Sequence, residues 1–444
     1  MKRILSLVIL LMLGLTASAQ YRGTIISDSL TNSKLYPGTL HHYKLYIPKE
    51  YDGTSEACLY VGLDGIAYNA PAVMDKLIAE GAMPVTIALF VEPGRIYDSK
   101  RKVVRYNRSN EFDRTDGKFA EFLIEELLPH AVAHDLPDGR KIRISANPDH
   151  HAIAGSSSGG IASFSAAWFR PDLFRRVFTT VGTFVAMRGG NELPALVRKT
   201  APQPLRIYIH DGSRDVWNPI FGHWYEYNRL MGTALEFAGY DFKAYWDDCV
   251  HSNQTANRIF PEAMRYLWSD FPNPVKVGTS KNNMLSTILI DGEEWQPFDG
   301  DFPRKAPRKA PRKALSPDGK VWAKPEKNSD WLLSYTVDER GRKRNGQQFF
   351  WLHNPLHHYN DVVGMIYATD GCLYVATKSG IQVCDHNGRV RAILRSPSLA
   401  IEEFAFVGNT LYIKAGGKAF TRRVKTTAHP NSAPRIDYPS QGQG

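Results

Sequence analysis

Cysteine, long apolar runs and net charge on the folded parts are all scarce in this chain, and each shortage closes off a class of protein. Four cysteines occur in 444 residues, Cys58, Cys249, Cys372 and Cys384, and their spacing gives no zinc pattern. They permit three complete pairings in an oxidising compartment, and buried free thiols are the plainer reading. Beyond residues 4–15 no long apolar run exists, so nothing else in the sequence suits a bilayer span. The formal net charge is +10, but two of those charges are Lys2 and Arg3, and six lie in Arg304, Lys305, Arg308, Lys309, Arg312 and Lys313. The rest of the chain is nearly neutral, which argues against a nucleic-acid partner. With 43% hydrophobic residues, the length suffices for two domains, each with its own core.

The N-terminus reads apart from the fold. Lys2 and Arg3 precede the apolar run, and Ala17-Ser18-Ala19 supplies the small residues of a cleavage site, so 1–19 has the form of a secretory signal peptide. An exported chain, periplasmic or secreted, is expected.

The stretch with the clearest chemistry is Ala152-Ile153-Ala154-Gly155-Ser156-Ser157-Ser158-Gly159-Gly160. It reads as a buried strand, a tight turn and a helix of small residues, in the form G-x-S-x-G with Ser157 at its centre. On such a turn the serine hydroxyl stands out at the top of a sheet, and the N–H of Ser158 points to where an ester's oxyanion would form. The context is α/β. Alternating or continuously apolar strands are expected at 43–48, 57–63, 85–90, 152–154, 205–210 and 242–246, with helices between them. A helix marked by Phe119, Phe122, Leu123 and Leu127 is expected to close at Pro129. Ser157 follows one strand, Asp211 and Asp215 follow the next, and His251 follows the last. Serine, acid, histidine is the order of an α/β-hydrolase, in which the histidine takes the serine proton and the carboxylate orients the imidazole. Of the two candidate acids, Asp215 has room to curl back to His251, and Asp211 remains the alternative.

Further stretches carry a family resemblance: Leu35-Tyr36-Pro37-Gly38-Thr39, Leu63-Asp64-Gly65, Arg108-Ser109-Asn110-Glu111-Phe112, Glu125-Glu126-Leu127-Leu128-Pro129, the serine turn and Asp211-Gly212-Ser213-Arg214-Asp215. On these, residues 21–272 resemble the esterase D and enterochelin-esterase-like α/β-hydrolases, which include feruloyl and acetylxylan esterases. The resemblance implies Ser157 as nucleophile, Asp215 as acid and His251 as base, with the backbone N–H groups of Ile66 and Ser158 as oxyanion donors. It also brings Asp64, Arg108 and Glu111 forward as substrate-binding candidates, with Arg108 and Glu111 an expected ion pair. Trp217 and Trp224, with Phe221 and Tyr225, follow the acid and suit either a sugar or aromatic acyl site or the packing of a helix on the sheet. The sequence departs from the family at Val250, where glycine is usual, and at Ser158, where a bulkier residue is frequent.

After residue 272 the pattern fades. Residues 303–314 are three copies of Pro-Arg-Lys-Ala, excluded from helix and sheet by their prolines. Short strands then follow at 371–377, 380–385, 390–394 and 410–415, and 362–424 resembles a gluconolactonase or regucalcin-type propeller. Val363 stands where that family places a metal-ligating aspartate, so a partial propeller without metal is expected.

The expected architecture is α/β. A signal peptide at 1–19 precedes an α/β-hydrolase three-layer sandwich at 20–272, a linker at 273–315, a partial propeller-like all-β domain at 316–426 and a disordered tail at 427–444. The expected function is that of a serine esterase acting on acyl or feruloyl esters of carbohydrate, with no cofactor, no metal and no nucleic acid. A siderophore-ester hydrolase, a non-catalytic glycan-binding protein on a hydrolase scaffold and a metal-dependent lactonase in the second half are the alternatives.

Overall fold

The structure, a computed structural model, describes residues 22–136, 138–303, 313–354, 362–397 and 400–429. The signal-peptide expectation and most of the basic repeat lie outside these residues. The first half is built on an eight-stranded sheet: β1 (Thr24–Leu30), β2 (His41–Ile47), β3 (Cys58–Leu63), β4 (Thr86–Val91), β5 (His151–Ser156), β6 (Arg176–Thr180), β7 (Arg206–Gly212) and β8 (Asp241–Asp247). Its order is β1-β2-β4-β3-β5-β6-β7-β8. The first three strands in that order pair antiparallel, and β4 through β8 run parallel.

Both faces of the sheet are covered, which is why β3 and β4 are buried along their whole length. Leu59, Val61 and Leu63 of β3 face one side, while Cys58 and Tyr60 face the other. On the second face lie α1 (Ala70–Ala79) and α4 (Gln254–Trp268). The α4 residues Ala256, Ile259, Phe260, Ala263, Met264 and Leu267 recur at helical spacing and join Met74 and Leu77 of α1 in that core. On the first face lie α2 (Ser158–Phe169) and α3 (Trp224–Ala238). Every residue of α2 is buried, and its small side chains let the helix lie close to the strands. The first half is thus a three-layer α/β-hydrolase sandwich.

Several elements differ from the sequence reading. The strand after the serine turn is β6, not the strand that carries the acid; its opening Arg176 reads as surface sequence but is fully buried, its Nε donating to the Asp149 carbonyl at 2.7 Å. Pro129 does not end its helix. Helical structure runs from Lys118–Glu121 through the wider turns of Phe122–Leu127 into Leu128–Val132, and the wider turns just before Pro129 make room for its ring. The stretch 273–315 contains a helix at Asn283–Ile288 and short strands at Gln296–Pro297 and Ala314–Leu315. Strands of two residues are too short to show a period. In the tail, Ala428 still bridges Ala368 and the His429 N–H donates to Tyr367.

The second half is all β, with three four-stranded antiparallel sheets among the described residues. One is Ala314–Leu315, Val321–Pro325, Trp331–Val337 and Lys343–Trp351, and the next is Gly364–Tyr367, Leu373–Thr377, Gly380–Cys384 and Val390–Leu394. In the third, Gln296–Pro297 pairs on the outer edge of Lys418–Arg423, so a segment from before the basic repeat completes a sheet otherwise made after it. The two halves do not keep separate cores. Met365, Val375 and Ile393 share a cluster with Ile161 and Phe164 of α2. Thr200 bridges Ile393 in parallel, and Arg395 reaches across to the end of α2, donating to the carbonyls of Trp168 at 2.6 Å and Phe169 at 3.1 Å. Its guanidinium lies 4.6 Å from both ring centroids. A cation at a helix C-terminus satisfies carbonyls the helix leaves open and opposes the dipole. Arg395→Ala should therefore lower folding stability by about 1–3 kcal/mol, read from urea unfolding midpoints, whereas Arg395→Lys should recover part of that loss.

Candidate active site

Ser157 joins β5 to α2 with φ 58° and ψ −122°, a region that a side chain enters only under constraint. The constraint comes from both sides. The Ser157 N–H donates to Thr180 of β6, and its carbonyl accepts from the N–H groups of Gly160, Ile161 and Thr183. A Cβ at Gly155 would stand 2.3 Å from the Gly159 carbonyl oxygen, so strand and helix meet here only because position 155 has no side chain. Strain gathers around this point. Of the nine non-glycine residues with positive φ among the described residues, Asp64, Tyr68, Asn69, Ser157, Val181 and Arg188 lie on this end of the sheet.

The hydroxyl thus presented meets His251, whose Nε2 lies 2.9 Å from Ser157 Oγ. On the far side of the ring, Nδ1 lies 2.6 Å from Asp215 Oδ1. Asp215 follows β7 and its side chain is fully buried, whereas His251 follows β8 with its side chain 27% exposed. Trp224 meets the imidazole edge-on at 5.9 Å and donates its indole N–H to Thr183 Oγ1, which itself lies 3.4 Å from Ser157 Oγ. Trp224 is 7% exposed and Trp217 is 64% exposed, so of the two tryptophans brought forward for substrate only Trp217 presents its ring to solvent.

Asp211 ends β7 as a buried carboxyl whose Oδ1 accepts the Gly212 N–H, and its Oδ2, like Asp215 Oδ2, finds no other donor among the described residues. Burial first, and then the contact with Asp215, hold Asp211 well above the usual carboxylate range. Burial also presses on Asp215, but its hydrogen bonds with His251 and Asp211 outweigh it and keep that carboxyl low. The two carboxyls titrate as a pair, with the opposite shifts favouring the proton on Asp211. A protonated Asp211 keeps a second negative charge away from the carboxylate that faces His251.

The Leu63-Asp64-Gly65 turn lies beside the serine turn, Asp64 Oδ2 standing 3.2 Å from where a Gly159 Cβ would be. The N–H groups of Ile66 and Ser158 find no acceptor among the described residues. Arg108 grips Asp64 with two bonds, Nε to Oδ1 at 2.7 Å and Nη2 to Oδ2 at 2.8 Å. The expected Arg108–Glu111 pair does not form. Glu111 is buried, with Oε1 3.0 Å from His41 Nε2 and Oε2 accepting the Gly94 N–H, so it ties the loop to β2. An open cleft of about 410 Å³, lined by Asp64, Ile66, Tyr68, Ser156, Asn253 and Asn257, lies alongside.

Thr183 and Asp113 were not legible as site residues. Thr183 sits in a loop without a pattern of its own. Asp113 is raised above the usual carboxylate range by burial, an effect that the nearby Ser109 and Ser158 hydroxyls oppose. Its nearness to the serine turn depends on a contact far apart in sequence.

Residues 37–233 match the Esterase family model. The match spans less than half of the chain and says what that segment is similar to. No curated protein matches the chain. Among solved structures, the esterase segment is similar to a ferulic acid esterase (16% identity over 57% of this chain and 100% of that one, TM-score 0.42). It is also similar to the enterobactin esterase of Shigella flexneri (18%, 55% and 59%, TM-score 0.42) and to a feruloyl esterase module from Clostridium thermocellum (12%, 57% and 95%, TM-score 0.40). The chain spans about three fifths of the Shigella enzyme.

The proton on Asp211 makes a prediction about pH. Because Asp211 keeps its proton when folded and releases it when unfolded, the unfolded state binds fewer protons above the ordinary carboxylate range. Its contribution is fully present below the unfolded pKa and is lost as pH rises toward the raised native value. Unfolding midpoints between pH 5 and 8 should therefore fall with pH in the wild type, by up to about 1.4 kcal/mol per pH unit from this group. In Asp211→Asn, whose amide donates without ionising, that slope should flatten.

Proposed function

We propose that this esterase works through Ser157, His251 and Asp215 as nucleophile, general base and orienting acid, and that it is exported. The observation that carries the reading is the unbroken hydrogen-bonded line from Ser157 Oγ through both imidazole nitrogens to Asp215. An ester carbonyl over Ser157 is attacked by Oγ while His251 Nε2 takes the hydroxyl proton. Ionised Asp215 stabilises the resulting imidazolium, and the proton on Asp211 keeps a second negative charge from accumulating beside it. The N–H groups of Ile66 and Ser158 receive the oxyanion, Ser158 from the positive end of α2. Collapse of the tetrahedral species expels the alcohol, which leaves with the proton from His251. Water, deprotonated in turn by His251, then releases the acid from Ser157.

We propose acyl or feruloyl esters of carbohydrate as substrates. Exposed Trp217 and Ile220 follow the acid and exposed Val250 precedes the histidine, so the loops carrying both groups offer apolar surface for an aryl or acyl chain. Export rests on the residues before Gln20, and the N-terminal sequence of the mature protein tests it.

The activity is tested with short p-nitrophenyl esters, methyl ferulate, acetylated xylan and a 2,3-dihydroxybenzoyl-serine ester. Ser157→Ala should lose kcat by on the order of 10⁴–10⁶ while remaining folded. Preference for methyl ferulate or acetylated xylan supports the carbohydrate assignment, and preference for the dihydroxybenzoyl-serine ester replaces it with a siderophore ester. A folded wild type inactive on every ester contradicts the catalytic reading.

A further inference from the structure

Beside the serine and its partners, the ends of β7 and β8 bring together three side chains that ester hydrolysis does not use. His210 is fully buried, Asp247 ends β8, and Cys249 follows two residues later on the loop to His251. His210 Nε2 lies 3.5 Å from Asp247 Oδ1 and 3.6 Å from Cys249 Sγ, and the three donor atoms all fall within 4.8 Å of one another. At 3.5 Å the histidine and the carboxylate are too far apart for a good hydrogen bond. Both separations match the donor-to-donor edges, roughly 3.3–3.6 Å, of a tetrahedral zinc ion with its usual bonds to sulfur, nitrogen and oxygen.

We propose that His210, Asp247 and Cys249 form a three-ligand site for a zinc-class divalent cation, distinct from the ester-hydrolysing groups. The surroundings are arranged to hold the donors. Thr255 Oγ1 donates to Asp247 Oδ2 at 2.8 Å and Arg258 approaches the same oxygen at 3.6 Å, which leaves Oδ1 turned toward His210. The Cys249 N–H donates to Oδ1 at 3.0 Å and fixes the loop. Close approach of the loop to β7 requires Gly212, where a Cβ would stand 2.4 Å from Cys249 Sγ. Asp247 and Cys249 are partly exposed, which leaves a fourth position for water. Binding breaks the Cys249 S–H bond, forms a sulfur–metal bond and releases the proton to solvent. The two negative ligands then balance the ion. The donors come from different strand ends, so no motif spacing announces them. The bound ion would tie the loop of His251 to the strand that leads to Asp215.

The test is titration of chelator-treated full-length protein with Co²⁺ and then Zn²⁺, read by absorption and by metal content after dialysis. The other cysteines, Cys58, Cys372 and Cys384, are buried, so a thiolate-to-cobalt band reports Cys249. One equivalent of cobalt with that band, displaced by zinc, is expected in the wild type and in Ser157→Ala. Cys249→Ala and His210→Ala should bind at least 100-fold more weakly, while the milder Cys249→Ser, checked for an unchanged melting temperature in chelator, should lose the band. Absence of the band in folded wild type, or its survival in Cys249→Ser, would overturn the site.

Discussion

The strained turn at Ser157 is the constraint on which the rest depends. A side chain with positive φ persists only where its surroundings fix it, and here β6 holds its N–H while three N–H groups from α2 and the 181–189 loop converge on its carbonyl. That arrangement dictates glycine at 155, small residues along α2 and a fully buried helix behind the turn. It also explains the reach of the second half. Arg395 closes the far end of the helix whose near end supports the serine, so the all-β sheets brace the hydrolase core across a shared cluster.

The second constraint is electrostatic. A histidine beside two buried carboxyls would face a double negative charge unless one kept its proton, and burial together with the Asp211–Asp215 contact puts that proton on Asp211. In the proposed mechanism the two aspartates differ in protonation state. Asp215 meets the imidazole at 2.6 Å, and Asp211 is the carboxyl that titrates with it. Around them Thr183 links Ser157 Oγ to Trp224, and Trp224 packs on His251, so the imidazole is held at its edge as well as at both nitrogens.

Legibility in the sequence followed the range of the interaction. The serine turn, the apolar strands and the serine–acid–histidine order are local patterns, and they indicated the hydrolase layers. β6 escaped because Arg176 lies inside rather than outside, held by a carbonyl brought in from another segment. Nearness in sequence pairs Glu111 with Arg108, but the chain delivers His41 of β2 to Glu111 and Asp64, from the turn after β3, to Arg108, each out of reach of a spacing argument. Gln296–Pro297 and the His210, Asp247 and Cys249 cluster are likewise products of tertiary closure. Trp224 and Trp217 look equivalent in sequence and differ only because one lies beneath His251.

The account stands on Ser157 being a nucleophile activated by His251. Its most direct measurement is reaction with a fluorophosphonate followed by peptide mass spectrometry, since the reagent is attacked only by an activated hydroxyl and loses fluoride as the phosphonyl–oxygen bond forms. A single adduct on the peptide containing Ser157, formed orders of magnitude more slowly in His251→Ala, is the predicted result. Folded wild type that stays unlabelled, or carries the adduct on another residue, would contradict it.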